Sequence, residues 1–148
     1  MPQSLANILV HTIFSTKGRH PFITDAVRPG LHGYMAGVLK ELNSPALIIN
    51  SMADHAHVLC SLSKNLAVCK MAEEVKKSSS KWMKTQGVPS FGWQNGYGAF
   101  SVSQSNAASV RNYINKQQEH HRKVSFQDEF RRFLEKYQIS YDERYVWD

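Results

Sequence analysis

Four segments rich in β-branched and aromatic residues alternate with two helical segments in the order β-α-β-β-α-β, and two further helices follow. That order predicts an α+β fold of the ferredoxin-like, split βαβ type: an antiparallel sheet with helices on one face and a C-terminal helical segment. The 148-residue length suits one domain spanning 1–148. The chain shows no repeat and no low-complexity linker that would divide it.

The elements follow in turn. ANILVHTIFST (6–16) reads as the first strand, and KGRHP follows as a basic turn. Thr24-Asp25 has the character of a helix start, but Pro29-Gly30 is expected to interrupt it. The first helix is therefore placed at LHGYMAGVLKEL (31–42), stopped by Asn43-Ser44-Pro45. ALIINSMA (46–53) and HAHVLCSL (55–62) read as the second and third strands. LAVCKMAEEVKKSSSKWMKTQ (66–86) is amphipathic, with Leu66, Met71, Val75, Ser79, Trp82 and Met83 on its inner face, and Gly87 and Pro89 end it. FGWQNGYG (91–98) is a loop with structure of its own, and AFSVSQ (99–104) is the fourth strand. Ser105-Asn106 caps a helix through residue 120. SFQDEFRRFLEKYQI (125–139) forms another, with Ser125 as cap and Asp128 three residues in. The aromatic, charged tail YDERYVWD is expected to pack down.

The net charge of +6 favours a polyanionic partner. Two cysteines are too few for a disulfide scaffold. No apolar run approaches the ~18–20 residues of a membrane span, and the first twenty residues lack the basic and small-residue marks of a signal peptide. No membrane partner is expected, and the expected location is the cytoplasm.

The chemistry concentrates in two places. In ADHAHVLCSL, His55 and His57 are two apart on a strand, so both side chains project from one face while Ala56 and Val58 project from the other. Such a pair can chelate a divalent cation. The spacing fits equally two separately satisfied histidines on an open sheet face. In RNYINKQQEHH, Tyr113 and Gln117 stand at i and i+4, one face of a helix. A tyrosine hydroxyl can attack phosphorus, and a glutamine amide oxygen can ligate a metal. A core tyrosine bonded to a neighbouring glutamine shows the same spacing.

H-x-H on the third strand, then Y-x-x-x-Q on a late helix, resembles the single-tyrosine HUH transposases, including small insertion-sequence enzymes and those associated with repetitive extragenic palindromes. VHTIFSTKGRHP, INSMADHAHVL, FGWQNGYGAFSVSQS and VRNYINKQQEHHRKVSF carry the resemblance over nearly the whole chain. Ala56 is smaller than the hydrophobic residue usual between the two histidines. The resemblance implies that His55 and His57 are metal ligands, Gln117 the third ligand and Tyr113 the nucleophile on a C-terminal catalytic helix. It implies a homodimer acting on single-stranded DNA with hairpin ends, with Mg²⁺ or Mn²⁺ as cofactor, near the nucleoid when active. Whether Tyr113 serves its own histidines or a partner's stays open.

A tyrosine attacking a phosphodiester stores the bond energy in a phosphotyrosine, so strands can be rejoined without ATP; no Walker-type phosphate loop occurs in the sequence. Lys116 is three residues from Tyr113, where its charge can hold the phosphate or favour the phenolate. Lys17, Arg19, Lys76, Arg111 and Arg122 are candidate phosphate contacts, and Trp93 is a candidate stacking platform, as are Trp82 and Tyr97. Three other readings fit parts of the sequence. One is a host-retained nickase acting on chromosomal palindromes. A second is a non-catalytic nucleic-acid-binding module, although the RNA-recognition aromatic motif is not evident on a strand. The third is a structural zinc protein using His55, His57, Cys60 and Cys69, which strand parity disfavours because Cys60 faces away from both histidines.

Overall fold

The computed structural model describes residues 2–148. Its sheet contains β1 (Leu9–Ser15), β2 (Ala46–Ser51), β3 (His55–Ser61) and β4 (Gly98–Val102), in the order β2-β3-β1-β4. All three pairings are antiparallel. This is the ferredoxin-like arrangement expected from the order of elements. A register irregularity between Ala46 and Ile48 lets both Leu47 and Ile48 join the apolar cluster around Leu59 and Ile114.

Helices α1 (Arg28–Glu41) and α2 (Val68–Thr85) cover one face. There Val10, Phe14, Ala56, Val58 and Cys60 meet Leu31, Met35, Leu39, Met71, Val75 and Met83. Helix α1 begins earlier than expected. Pro29 sits in its first turn, where a missing N–H is harmless and the ring fixes a helical φ. Gly30 has a packing role, because a Cβ there would lie 2.8 Å from the Trp82 ring of α2. Trp82 is thus partly buried between the two helices, with its ring stacked on Tyr34.

The other face carries the C-terminal helices. The helix expected through residue 120 instead breaks at Lys116, into α3 (Ala107–Asn115) and α4 (Gln117–His120). At the break the Tyr113 carbonyl accepts from Lys116 N and from the Gln117 side-chain amide, both at 3.3 Å. Asn50 of β2 ties down the end of α3 by donating to the Ile114 carbonyl at 2.7 Å. Helix α5 (Phe126–Lys136) starts at the expected serine cap, where Ser125 Oγ accepts from Asp128 N at 3.2 Å. Phe126, Phe130 and Leu134 of α5 pack on Ile13 and Phe100, with Val146 and Trp147 of the tail against them. The helices therefore occupy both faces: α1 and α2 share one, and α3 to α5 enclose the histidine-bearing one.

Candidate metal centre and tyrosine site

Strand alternation places Leu9, His11 and Ile13 of β1 and His55, His57 and Leu59 of β3 on the face beneath α3 to α5. His11, His55 and His57 are all buried. Cys60 faces the α1–α2 core, where burial pushes its thiol up to about 11. It is turned away from the imidazoles, so a zinc site joining it to them does not form here.

Two groups from the C-terminal segment complete a cluster. One ligand atom from each of His55, His57, His121 and Glu129 lies within 4.8 Å of the other three. Glu129 Oε1 is 3.0 Å from His57 Nε2, 3.2 Å from His121 Nε2 and 3.6 Å from His55 Nε2. Each imidazole is also fixed from outside. His55 Nδ1 lies 2.7 Å from Asp54 Oδ1, His57 Nδ1 2.8 Å from His11 Nε2, and His121 Nδ1 2.6 Å from the Val124 carbonyl oxygen. Metal-binding histidines commonly show such outer partners, which fix ring orientation and tautomer.

Burial alone would raise the Glu129 carboxyl, yet His57 and the hydrogen bonds from His121, His57 and Tyr113 hold it well below the usual carboxylate range. Burial lowers His57 despite the pull of Glu129. His11 is lowered further, by burial and by His57. His121 is raised: burial opposes its charge, but the Glu129 contact outweighs it.

Tyr113 meets this cluster from α3. Its ring centroid is 6.0 Å from that of His57 in the same chain. Its hydroxyl donates to Glu129 Oε2 and lies 3.2 Å from His120 Nε2. Burial, with the Glu129 charge, pushes the phenol above its ordinary value. The ring is half-buried and lines a cavity of about 420 Å³ with His11, Asn106, Arg132, Phe133 and Tyr137. Gln117 is fully buried, and its Oε1 has no hydrogen-bond partner among the described residues. Three imidazoles and a buried carboxylate form a donor set that suits a divalent cation.

The other expected positions are dispersed. Lys116 is exposed at the helix break and lines a second cavity beside Tyr113, with His120, Lys123 and Arg132. Arg111 and Arg122 are exposed on the same C-terminal segment. Lys17, exposed, and Arg19, half-buried, lie in a 3-10 turn after β1, and Arg19 sits over the Trp147 ring. Lys76 is half-buried and donates to the Asn95 and Gly96 carbonyls at 3.0 and 2.8 Å. Trp93 does not offer the stacking surface expected of it. It is 7% exposed, packs edge-on against Phe14 and Phe91, and donates its indole N–H to Ser79 Oγ at 2.9 Å.

Sequence reasoning missed His11, His121 and Glu129. The signals were faint but present. His11 alternates with Leu9 and Ile13 on a buried strand face, and Glu129 falls on the apolar stripe Phe126–Phe130–Phe133 of α5, three residues after the first phenylalanine. A carboxylate on such a stripe calls for a partner. His121 follows a four-residue helix and carries no periodicity.

Comparison with known proteins gave a consistent result. The sequence model of the family described as "Transposase IS200 like" matches residues 4–117. Among solved structures, a candidate transposase from Deinococcus radiodurans R1 is similar at 21% identity and TM-score 0.63, covering 79% of this chain and 98% of its own. A REP-associated tyrosine transposase, solved bound to a REP hairpin, is similar at 14% identity and TM-score 0.60, covering 84% of this chain and 76% of its own. No curated protein matched. No helix among the described residues is long and apolar enough to cross a membrane.

Proposed function

The chain belongs to the IS200-like transposase family, and from that premise we propose that it cleaves and rejoins single-stranded DNA through a covalent 5′-phosphotyrosine on Tyr113, with a divalent cation at His55 and His57. The observation that carries this reading is the link between phenol and imidazoles. One Glu129 carboxylate touches the Tyr113 hydroxyl through Oε2, and His57 and His121 through Oε1. Nucleophile and cation ligands thus meet at one point of one chain, which favours attack beside the chain's own histidines.

In the proposed step the Tyr113 oxygen bonds to the scissile phosphorus and the bond from phosphorus to the 3′ oxygen breaks. The departing strand leaves with a free 3′ hydroxyl. Glu129 Oε2 accepts the phenolic proton's hydrogen bond, and His120 Nε2 lies 3.2 Å from the same hydroxyl. A second 3′ hydroxyl reverses the step on the same phosphotyrosine, so rejoining needs no nucleotide cofactor. His55 and His57 would hold the cation, with Gln117 Oε1 a further neutral donor. When bound, Mg²⁺ or Mn²⁺ supplies Lewis-acid stabilisation of charge on the phosphate oxygens.

Lys116, Lys123 and Arg132 line the cavity beside Tyr113; these, with Arg111, Arg122, Lys17 and Arg19 elsewhere on the chain, would neutralise backbone phosphates. A structural neighbour bound to a REP hairpin supports a hairpin substrate. Excising a segment takes two cuts, and one tyrosine makes one covalent link at a time; a homodimer acting as a single domain per chain supplies both.

The test is incubation of the chain with single-stranded hairpin DNA and Mn²⁺ or Mg²⁺, followed by denaturing electrophoresis. Wild type is expected to form a covalent adduct, while Tyr113→Phe binds the DNA and forms none. An adduct undiminished in Tyr113→Phe excludes Tyr113 as the nucleophile.

A further inference from the structure

Glu129 is 1% exposed, and the charged or titratable groups within reach of its carboxylate are four imidazoles and one phenol. Both Glu129 and His121 lie beyond residue 117, outside the stretch that the family model matches. The tautomers of their surroundings are constrained. A carbonyl oxygen only accepts, so His121 carries a proton on Nδ1, facing Val124 O at 2.6 Å. The Asp54 carboxylate, 2.7 Å from His55 Nδ1, fixes a proton there in the same way. The Nε2 atoms of these two rings therefore turn inward. They lie 3.0 Å from each other, and 3.6 and 3.2 Å from Glu129 Oε1, itself an acceptor. His57 Nε2, 3.0 Å from the same oxygen, completes the ring of donors. These four atoms, one from each side chain and all within 4.8 Å of one another, crowd around one buried point. A single proton bridges one pair of atoms, whereas a divalent cation engages all four and offsets the buried carboxylate.

We propose that His121 and Glu129 join His55 and His57 as ligands of one divalent-cation site, so that cation binding fastens the segment 117–136 across the sheet. The inference rests on the reading of His55 and His57 as cation ligands given above. It adds two ligands from the C-terminal segment and a structural consequence. Because the second Glu129 oxygen accepts from Tyr113, an occupied site also fixes the phenol. Without the cation, α5 is held to β3 by its apolar contacts and the Glu129–His57 hydrogen bond alone.

The test uses Mn²⁺ alone, with no DNA. Its binding to the full chain is read from loss of the free-ion electron paramagnetic resonance signal, and hydrogen exchange is followed across 117–136. Wild type is expected to bind Mn²⁺, and His121→Ala and Glu129→Gln each to bind at least about tenfold more weakly. Saturating Mn²⁺ is expected to slow exchange of the α5 amides about tenfold or more in wild type and to leave Glu129→Gln unchanged. The glutamine is nearly isosteric, and the wild-type exchange experiment needs no variant at all. Variants that bind as tightly as wild type, or α5 exchange indifferent to saturating Mn²⁺, overturn the four-ligand site while leaving cation binding at His55 and His57 intact. A wild-type chain that binds no Mn²⁺ overturns both.

Discussion

His11 Nε2 lies 2.8 Å from His57 Nδ1, so the central strand β1 holds from behind an imidazole that faces Glu129. The rings are 5.1 Å apart and both are buried. His11→Ala removes this hold and leaves the His57 Nδ1 without its partner. The expected outcome is a fold that persists, destabilised by about 1–3 kcal/mol, with Mn²⁺ affinity and covalent-adduct yield lowered about tenfold or more. Urea unfolding and the adduct assay measure the two effects. An unchanged adduct yield in a folded variant would show that His57 needs no such support.

Gly98 of β4 lets α5 sit close. A Cβ added there would lie 2.5 Å from Phe130 Cε2, whose ring is itself stacked on Phe126. Gly98→Ala therefore forces Phe130, and with it the helix that carries Glu129, away from the sheet. Overpacking of this kind costs about 1–3 kcal/mol. Thermal unfolding and adduct yield should both fall. Adding Phe130→Leu should recover part of each, and no recovery would place the damage in the strand.

Trp93 separates a core role from a DNA-contact role. Trp93→Ala should destabilise by roughly 3–5 kcal/mol, whereas Trp93→Phe loses mainly the Ser79 hydrogen bond, about 1 kcal/mol. Stacking on a base is worth about 1–3 kcal/mol of binding. The affinity of folded Trp93→Phe for single-stranded DNA should stay within about twofold of wild type, since 7% exposure leaves no face for a base. Fluorescence anisotropy with a labelled oligonucleotide measures this.

Lys76 gives a pH dependence of known sign. Burial lowers its ammonium from 10.5 to about 8. Between those values the unfolded chain holds a proton that the folded chain has released, so this group's contribution to stability rises with pH. Below about pH 8 the folded chain carries the whole penalty of a half-buried charge. The stability difference between wild type and Lys76→Met should therefore shift in favour of wild type from pH 8 to 10.5. A flat difference in urea midpoints would mean that the two carbonyl contacts and solvent fully replace bulk hydration.

Most of the fold is legible in the sequence because runs of β-branched and apolar residues mark the strands, β1 and β3 being buried on both faces. His55 and His57 stand out for the same reason, as an H-x-H pair on a buried run. Tyr113 and Gln117 are legible only as a spacing, and the structure alters its meaning: the break at Lys116 puts them on two helices, with the Gln117 side chain taking the carbonyl that an unbroken helix would bond through its backbone. His121 and Glu129 lie 66 and 72 residues from the histidines they approach. Neither periodicity nor composition encodes so distant a pairing. Trp93 and Lys76 misled for a related reason. Aromatic and basic residues near a helix and a glycine-rich loop suggest a wet surface, but the loop folds back, buries the indole and draws the ammonium onto its own carbonyls.

The interruption at Lys116 has a mechanical consequence. Asn50 clamps the last turn of α3 to β2, while α5, beyond Lys116, is held by the imidazole cluster and by its own phenylalanines. Phenol and carboxylate thus ride on separate levers with a joint between them. Evolution or an engineer can retune how long the two stay engaged by altering the joint or the far lever, leaving the sheet and its paired histidines as they are.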